Sequence, residues 1–149
     1  MHFELSEENL MIRQAARDFA QTELKPGVIE RDEHQKFPAE QVKRLGELGF
    51  MGMMVSPEYG GSGMDAVSYV LAMEELSKID ASASVVVSVN NSLVCYGLEK
   101  YGTEEQKQKY LVPLAKGEKS AHSVYQSPKP ALMRLRNGQP PSIWAITIC

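Results

Sequence analysis

The feature that most constrains this chain is a recurrence of apolar residues at intervals of three and four through most of residues 6–117. Apolar residues at this spacing line one face of an α-helix. Helix-start residues precede such stretches at Ser6, Asp65 and Thr103, and Gln106 completes a capping box with Thr103. No strand pattern interrupts them before residue 118. The sequence therefore predicts an all-α domain.

Five helices are predicted from this pattern. They run from Ser6 to Pro26–Gly27, from Phe37–Pro38 to Gly49, from Asp65 to Leu76, from Asp80 or Ser82 to Leu98, and from Thr103 to Lys116. The fourth is rich in Ala, Ser and Val and resembles a strand, but its length favours a buried helix. The first is expected to bury the following residues: Leu10, Met11, Ala15, Phe19 and Ala20.

Composition excludes several classes of protein. The 149 residues are 43% hydrophobic and 23% charged, with a net charge of -3, as in an ordinary globular domain. No run of Lys and Arg could follow a nucleic-acid backbone, and Val85–Val87 is too short to cross a bilayer. The N-terminus lacks a secretion signal, and Cys95 and Cys149 form neither metal-ligand nor disulfide spacing. We therefore expect a reduced, cytoplasmic protein without nucleic-acid or membrane partners.

Three groups of residues could carry chemistry, and each has a simpler interpretation. Gly60–Gly61–Ser62–Gly63 lacks the preceding strand and the lysine of a phosphate-binding loop, so we interpret it as a turn. Glu74–Glu75 and Glu104–Glu105 are adjacent pairs that point about 100° apart on a helix and are expected to form solvated faces. His2, His34 and His122 have no metal spacing. No metal site is predicted.

A polar cluster interrupts the most apolar predicted helix. Ser88, Asn90, Asn91 and Ser92 lie among valines and leucines. Because buried amides and hydroxyls cost free energy unless they are hydrogen-bonded, these side chains must face a loop, water or a ligand. Two interpretations stay open: satisfied helix–helix contacts, or the wall of a ligand pocket. Cys95, on the same helix, is expected to be a small core residue.

Residues 120–149 differ in composition from the rest of the chain. They contain no Asp or Glu, four of the eight prolines and the only tryptophan, Trp144. Residues 1–119 carry 13 basic and 19 acidic side chains, a net charge of -6. The break predicts a helical domain over residues 1–119 and an unstructured tail over residues 120–149.

The order of motifs in residues 1–119 resembles the short-chain branch of the acyl-CoA dehydrogenase family. Each motif is weak alone, but their order and spacing together are specific. In chain order they are Arg17–Ala20, Phe37–Pro38, Leu48–Phe50, Pro57–Gly63, Met73–Leu76, Ser88–Leu93, Tyr101–Lys107 and Tyr110–Leu111.

The resemblance implies an orthogonal helical N-terminal domain, which a β domain and a helical bundle complete in homotetramers. In that family a carboxylate removes the α-proton of an acyl-CoA thioester while the β-hydride passes to FAD, and an electron-transferring flavoprotein accepts the electrons. The base and most flavin contacts lie in the two later domains. No catalytic, cofactor-binding or metal-binding residue is therefore assigned to this chain, which is expected to be an inactive, truncated form that binds no FAD.

The resemblance also places a short acyl chain against the fourth helix. Carried over by position, the substrate-binding residues are Val86, Val89, Asn90, Ser92 and Leu93. Val86 and Val89, about one turn apart, would form a compact apolar floor. The alternative is a non-enzymatic helical module that binds an acyl chain or a partner.

After Gly117–Lys119 the family continues with a β-domain signature, L-S-E-P-x-A-G-S-D, which this chain lacks. The signature emerges when the last base of each codon is joined to the first two bases of the next. With permitted codons, Lys119–Ala131 then becomes I-G-A-F-C-L-S-E-P-E-A-G, and the next residues supply S-D-A. The sequence therefore indicates that one base was lost near codons 118 and 119, so that residues 120–149 are out-of-frame translation.

Overall fold

The computed structural model of the chain describes residues 4–119, 121–123 and 146–148, and residues 4–119 are helical as predicted. The α-helices are α1 (Glu7–Phe19), α2 (Val28–Glu33), α3 (Ala39–Glu47), α4 (Ala66–Ser77), α5 (Ala81–Ser88), α6 (Tyr96–Tyr101), α7 (Glu104–Gln106) and α8 (Val112–Ala115). The π-helical segments Ala20–Leu24, Val89–Cys95 and Lys107–Leu111 continue α1, α5 and α7, and 3-10 helices cover Phe50–Gly52 and Pro57–Tyr59. The predicted all-α class is confirmed.

The predicted helix starts are capped by side chains. Ser6 accepts a hydrogen bond from the Asn9 amide at 3.1 Å, and Asp80 accepts one from the Ala83 amide at 3.0 Å. Thr103 forms the predicted capping box with Gln106. Such caps satisfy amides that have no partner inside the first helical turn. Short local sequence motifs therefore determine where these helices start.

One continuous helix, the central helix (Ala81–Tyr101), consists of α5, the π-helical segment and α6. Among the described helices it is the one that is long and apolar enough to cross a membrane. Here it packs against α3, α4, α8 and the Phe50–Gly52 turn. Its polar residues Asn90 and Asn91 are buried, as is expected of a core helix with hydrogen-bonded neighbours.

The core has two parts, and the buried residues of the Phe50–Met53 turn belong to the larger one. The larger part lies between α1, α3, α4 and α5 and includes Phe19, Leu45 and Leu76. The smaller part joins the second half of the central helix to α8 and includes Val94, Cys95 and Leu114. The central helix contributes to both, so it ties the two halves of the domain together.

The predicted buried face of the first helix is wrong for three of its five residues. Leu10 and Met11 are exposed, as is Ala15, whereas the buried side of α1 carries Ala16, Phe19 and Ala20. The physical reason is that α1 packs on α4 with the face whose arginines bind Glu75, a buried glutamate of α4. Helix α2 was not predicted; none of its residues is buried, so it has no apolar stripe to detect.

Most of the predicted tail lies outside the described residues. Ala121–Ser123 (β1) and Ile146–Ile148 (β2) form an antiparallel pair with His122 opposite Thr147. Strand β1 lies beside the π-helical segment Val89–Cys95. These two short strands depart from the expectation of an unstructured tail, and the boundary at residue 119 stays a prediction.

Candidate functional site

The five residues predicted to line a pocket lie on different sides of the central helix. Leu93 is 59% exposed, and Val86, Val89 and Ser92 are half-buried. Asn90 is fully buried. The structure therefore separates Asn90, which faces the core, from the residues that reach the surface.

We call Val85, Val89 and Leu93 the outer face of the central helix. They are spaced by four residues, and Val85 is as exposed as Leu93. Val89 packs partly against the smaller core. Sequence reasoning missed Val85, although its position four residues before Val89 was a signal. The outer face is an apolar surface suited to contact with a hydrocarbon chain.

Asn91 fastens the central helix to the turn that follows α3. Its side-chain oxygen accepts a hydrogen bond from the Met53 amide at 2.8 Å. Its amide nitrogen donates to the Phe50 carbonyl at 2.8 Å and to the Val87 carbonyl at 3.0 Å. This one buried side chain therefore makes three hydrogen bonds, one through its oxygen and two through its amide nitrogen.

Asn90 makes a parallel set of contacts in the core. Its amide nitrogen donates to the Met51 carbonyl at 2.7 Å and to the Leu114 carbonyl at 3.2 Å. Of the two interpretations left open for the polar cluster, Asn91 fits satisfied packing contacts, whereas Asn90 is satisfied at its amide nitrogen and leaves its Oδ1 without a partner. Ser92 behaves like Asn91, because its hydroxyl donates to the Ser88 carbonyl at 2.7 Å.

The glycine-rich loop is a turn, as predicted. The amides of Gly61, Ser62 and Gly63 donate to the carbonyls of Ser56, Gly52 and Val55 at 3.2, 2.9 and 2.9 Å. These amides are therefore already used and cannot cradle a phosphate.

The described residues do not fit a flavin site. Within the described part, the buried side-chain polar atoms without a partner are Arg31 Nε and Asn90 Oδ1. Arg31 lies beside Asp80 at the start of the central helix, whereas Asn90 is enclosed by core residues. They do not converge on one ligand, and we assign no flavin step to these residues.

The buried titratable residues of the described part include Glu75 and Cys95. Glu75 is buried, so the prediction that it forms a solvated face is wrong, while Glu74 is exposed as predicted. In the part of the chain that the structure describes, no group of three His, Cys, Asp or Glu residues could hold a metal ion. Cys95 is a buried core residue, as predicted, and burial raises its pKa to about 12, which leaves the thiol unreactive.

The domain also has two surface grooves that the residues of the outer face do not line. One, of about 610 Å³, lies between α2 and the start of the central helix and includes Arg31, Phe37 and Ala81. The other, of about 330 Å³, lies between α1 and the turn after α3 and includes Phe19, Leu48 and Met64. The five predicted residues line neither groove, and of these five Val89 and Leu93 belong to the outer face.

Comparison with known proteins identifies the domain. The model of the acyl-CoA dehydrogenase N-terminal domain matches residues 6–118. The short-chain-specific acyl-CoA dehydrogenase of Clostridium acetobutylicum is 51% identical over 119 residues, which are 80% of this chain and 31% of that enzyme. The chain thus spans about a third of the length of this relative.

Solved structures share the fold. Butyryl-CoA dehydrogenase from Megasphaera elsdenii matches with a TM-score of 0.79 and 37% identity, over 85% of this chain and 34% of that one. A chain in the structure of the electron transferring flavoprotein of Acidaminococcus fermentans matches with a TM-score of 0.80 and 42% identity, over 85% and 34%. The protein described here therefore belongs to the acyl-CoA dehydrogenase family, of which it contains the N-terminal helical domain.

Proposed function

We propose that the chain is the N-terminal part of an FAD-dependent short-chain acyl-CoA dehydrogenase and that its outer face, with Val86, forms a wall for the acyl chain. The observation that carries the proposal is the apolar outer face, in a domain half identical to that of a short-chain-specific enzyme. A short acyl chain gains free energy from such a surface in proportion to the apolar area that leaves water.

The rest of the reaction is proposed for the complete enzyme. A glutaryl-CoA dehydrogenase of the same fold has been solved with FADH2, and FAD would accept the hydride of the acyl-CoA. Residues of this chain would bind the hydrocarbon and keep water from it, because a dry pocket strengthens the electrostatic interactions that catalysis uses. An electron-transferring flavoprotein as acceptor, the homotetramer and the cytoplasmic location stay predictions.

Titration with butyryl-CoA tests the wall. We expect methyl resonances of Val85, Val89 and Leu93 in the 149-residue chain to shift on addition of butyryl-CoA, with free coenzyme A as the control that leaves them in place. Methyl shifts confined to the groove between α1 and α3, or equal shifts with free coenzyme A, would contradict the proposal.

Replacing Leu93 by serine is expected to leave the stability of the domain nearly unchanged, because its side chain is mostly exposed. The free energy of unfolding should change by less than about 0.5 kcal/mol. The comparison variant Val87→Ala changes a fully buried side chain of the same helix. It should lower the free energy of unfolding by about 2 kcal/mol. Urea unfolding of both variants checks this, and equal losses would show that Leu93 belongs to the core.

The coding DNA tests the proposed tail. We expect codons 119–134 to spell the β-domain signature in the neighbouring frame, so that removing the shift restores the rest of an acyl-CoA dehydrogenase. Sequencing codons 117–134 from an independent sample is the measurement. A neighbouring frame that cannot encode L-S-E-P contradicts the frameshift and favours the non-enzymatic helical module instead.

A further inference from the structure

We infer that Asn90 and Asn91 are positioning residues that hold the central helix in a π-helical register, and that this register aligns the outer face. The inference rests on the proposed function, because the outer face is the proposed acyl-chain wall. Neither asparagine is part of that face itself, since both side chains are buried.

The register matters because it decides where Leu93 points. In an α-helix four residues turn the chain by about 400°, so each step of four drifts by about 40° and Leu93 would lie about 80° from Val85. A π-helical turn holds more residues, so a step of four returns closer to the same side. The π-helical segment Val89–Cys95 contains the step from Val89 to Leu93, and Val85 and Leu93 are equally exposed.

The two adjacent asparagines lie in the π-helical segment Val89–Cys95, and both are buried. In the structure both reach backbone groups of the Phe50–Met53 turn, Asn90 at Met51 and Asn91 at Phe50 and Met53. Because unmade hydrogen bonds of buried amides are costly, these contacts favour the register that makes all of them.

The junction between α5 and the π-helical segment also depends on Asn91. Its side chain donates to the Val87 carbonyl, in the last turn of α5. At the other end of the segment, the Tyr96 amide donates to the carbonyl of Asn91, five residues back. Residue 91 therefore contributes to the π-helical register through both its side chain and its backbone.

The test reads the register directly. In isotope-labelled 149-residue chain we expect a scalar coupling across the hydrogen bond between the Tyr96 amide nitrogen and the Asn91 carbonyl carbon. In Asn91→Leu this coupling should vanish and one to the Ser92 carbonyl carbon should replace it, as in an α-helix. Butyryl-CoA should then no longer shift the Leu93 methyl groups.

A matched control separates positioning from lost stability. Asn9 is another buried asparagine, whose amide donates to the Ser68 hydroxyl at 2.9 Å and joins α1 to α4. Asn9→Leu should lower the melting temperature but keep both the Tyr96–Asn91 coupling and the response of Leu93. If Asn91→Leu does not fold, the smaller change Asn91→Ser is measured in the same way.

The outcomes distinguish the inference from the proposed function. A folded Asn91 variant that keeps the coupling to residue 91, or one that changes register while Leu93 still responds to butyryl-CoA, overturns the inference. A wild-type chain whose outer face ignores butyryl-CoA overturns the proposed function, whatever the variants do. Loss of both coupling and response in Asn91→Leu, but not in Asn9→Leu, supports both.

Discussion

Replacing Gly117 by alanine is expected to destabilise the domain by about 3 kcal/mol or more, a large share of the roughly 5–15 kcal/mol that stabilises an ordinary domain. Gly117 has φ of 70°, a left-handed conformation that an L side chain adopts at a cost of about 1–2 kcal/mol. A Cβ atom there would lie 2.5 Å from the Cα atom of Gly46. Because the neighbour is backbone in α3, the clash cannot be relieved by a side-chain rotation.

The contact between Gly46 and Gly117 joins α3 to the end of α8. The Gly117 amide donates to the Leu114 carbonyl at 3.1 Å, so the same residue also closes the last turn of α8. A methyl group here would separate the two helices and disturb the core around Leu114. The cost of such overpacking is about 1–3 kcal/mol and adds to that of the backbone conformation.

Gly97→Ala is the matched control. Gly97 lies in α6 with a helical backbone, and a Cβ atom there meets nothing within 4 Å. Alanine should therefore stabilise the domain by about 0.5–1 kcal/mol, because it restricts the unfolded chain more than glycine does. Urea unfolding followed by circular dichroism measures both. A Gly117→Ala variant as stable as the wild type would show that α3 and α8 are not in backbone contact.

The sequence predicted those parts of the fold that depend on short-range physics. The caps at Ser6, Asp80 and Thr103 are formed by side chains within three residues of the amides they bind. The central helix followed from its length and apolar content. Which face of α1 is buried could not be predicted in this way, because Arg13 and Arg17 bind Glu75, about sixty residues away along the chain.

The candidate site could likewise be predicted only in part. The family resemblance, not periodicity, pointed to Val89 and Leu93; the structure leaves Val89 half-buried and Leu93 exposed, and their role stays a prediction. Periodicity could not place Asn90, whose direction depends on a π-helical segment and on the carbonyls of Met51 and Leu114. A strict α-helical wheel also fails to show that Val85 stays on the side of Leu93. Tertiary hydrogen bonds decide these positions, and no local pattern records them.

Replacing Glu75 by glutamine is expected to cost about 2 kcal/mol of unfolding free energy at neutral pH. The Glu75 carboxylate is buried on α4 and accepts hydrogen bonds from Arg17 at 2.9 and 3.0 Å and from Arg13 at 2.9 Å. Lys78 adds a contact at 3.2 Å. Hydrogen bonds to a charged group contribute about 1.5–3 kcal/mol, but both arginines are partly exposed and recover hydration when the charge is lost.

The effect should depend on pH with a definite sign. Hydrogen bonds from Arg17, with those from Arg13 and Lys78, outweigh burial and hold the pKa of Glu75 well below its usual range. In the unfolded chain the pKa of a glutamate is about 4.3. Because the folded-state pKa of Glu75 is lower, the stabilisation that its carboxylate gives is complete above about pH 4.3 and is lost as the pH falls toward the folded-state pKa. The gap between wild type and Glu75→Gln should therefore be constant from pH 5 to 7, as rough bounds, and narrow below about pH 4.

Glu74→Gln provides the control for charge alone. Glu74 neighbours Glu75 on the same helix and pairs with Lys78 at 2.9 Å, but its side chain is about half exposed. Because solvent screens an exposed pair, this variant should change stability little. Urea unfolding at several pH values compares the two. Equal losses for both variants, or a gap for Glu75→Gln that widens in acid, would mean that the buried carboxylate does not hold α1 against α4. A large loss confined to Glu75→Gln means that this long-range ion cluster stabilises the packing of α1 on α4.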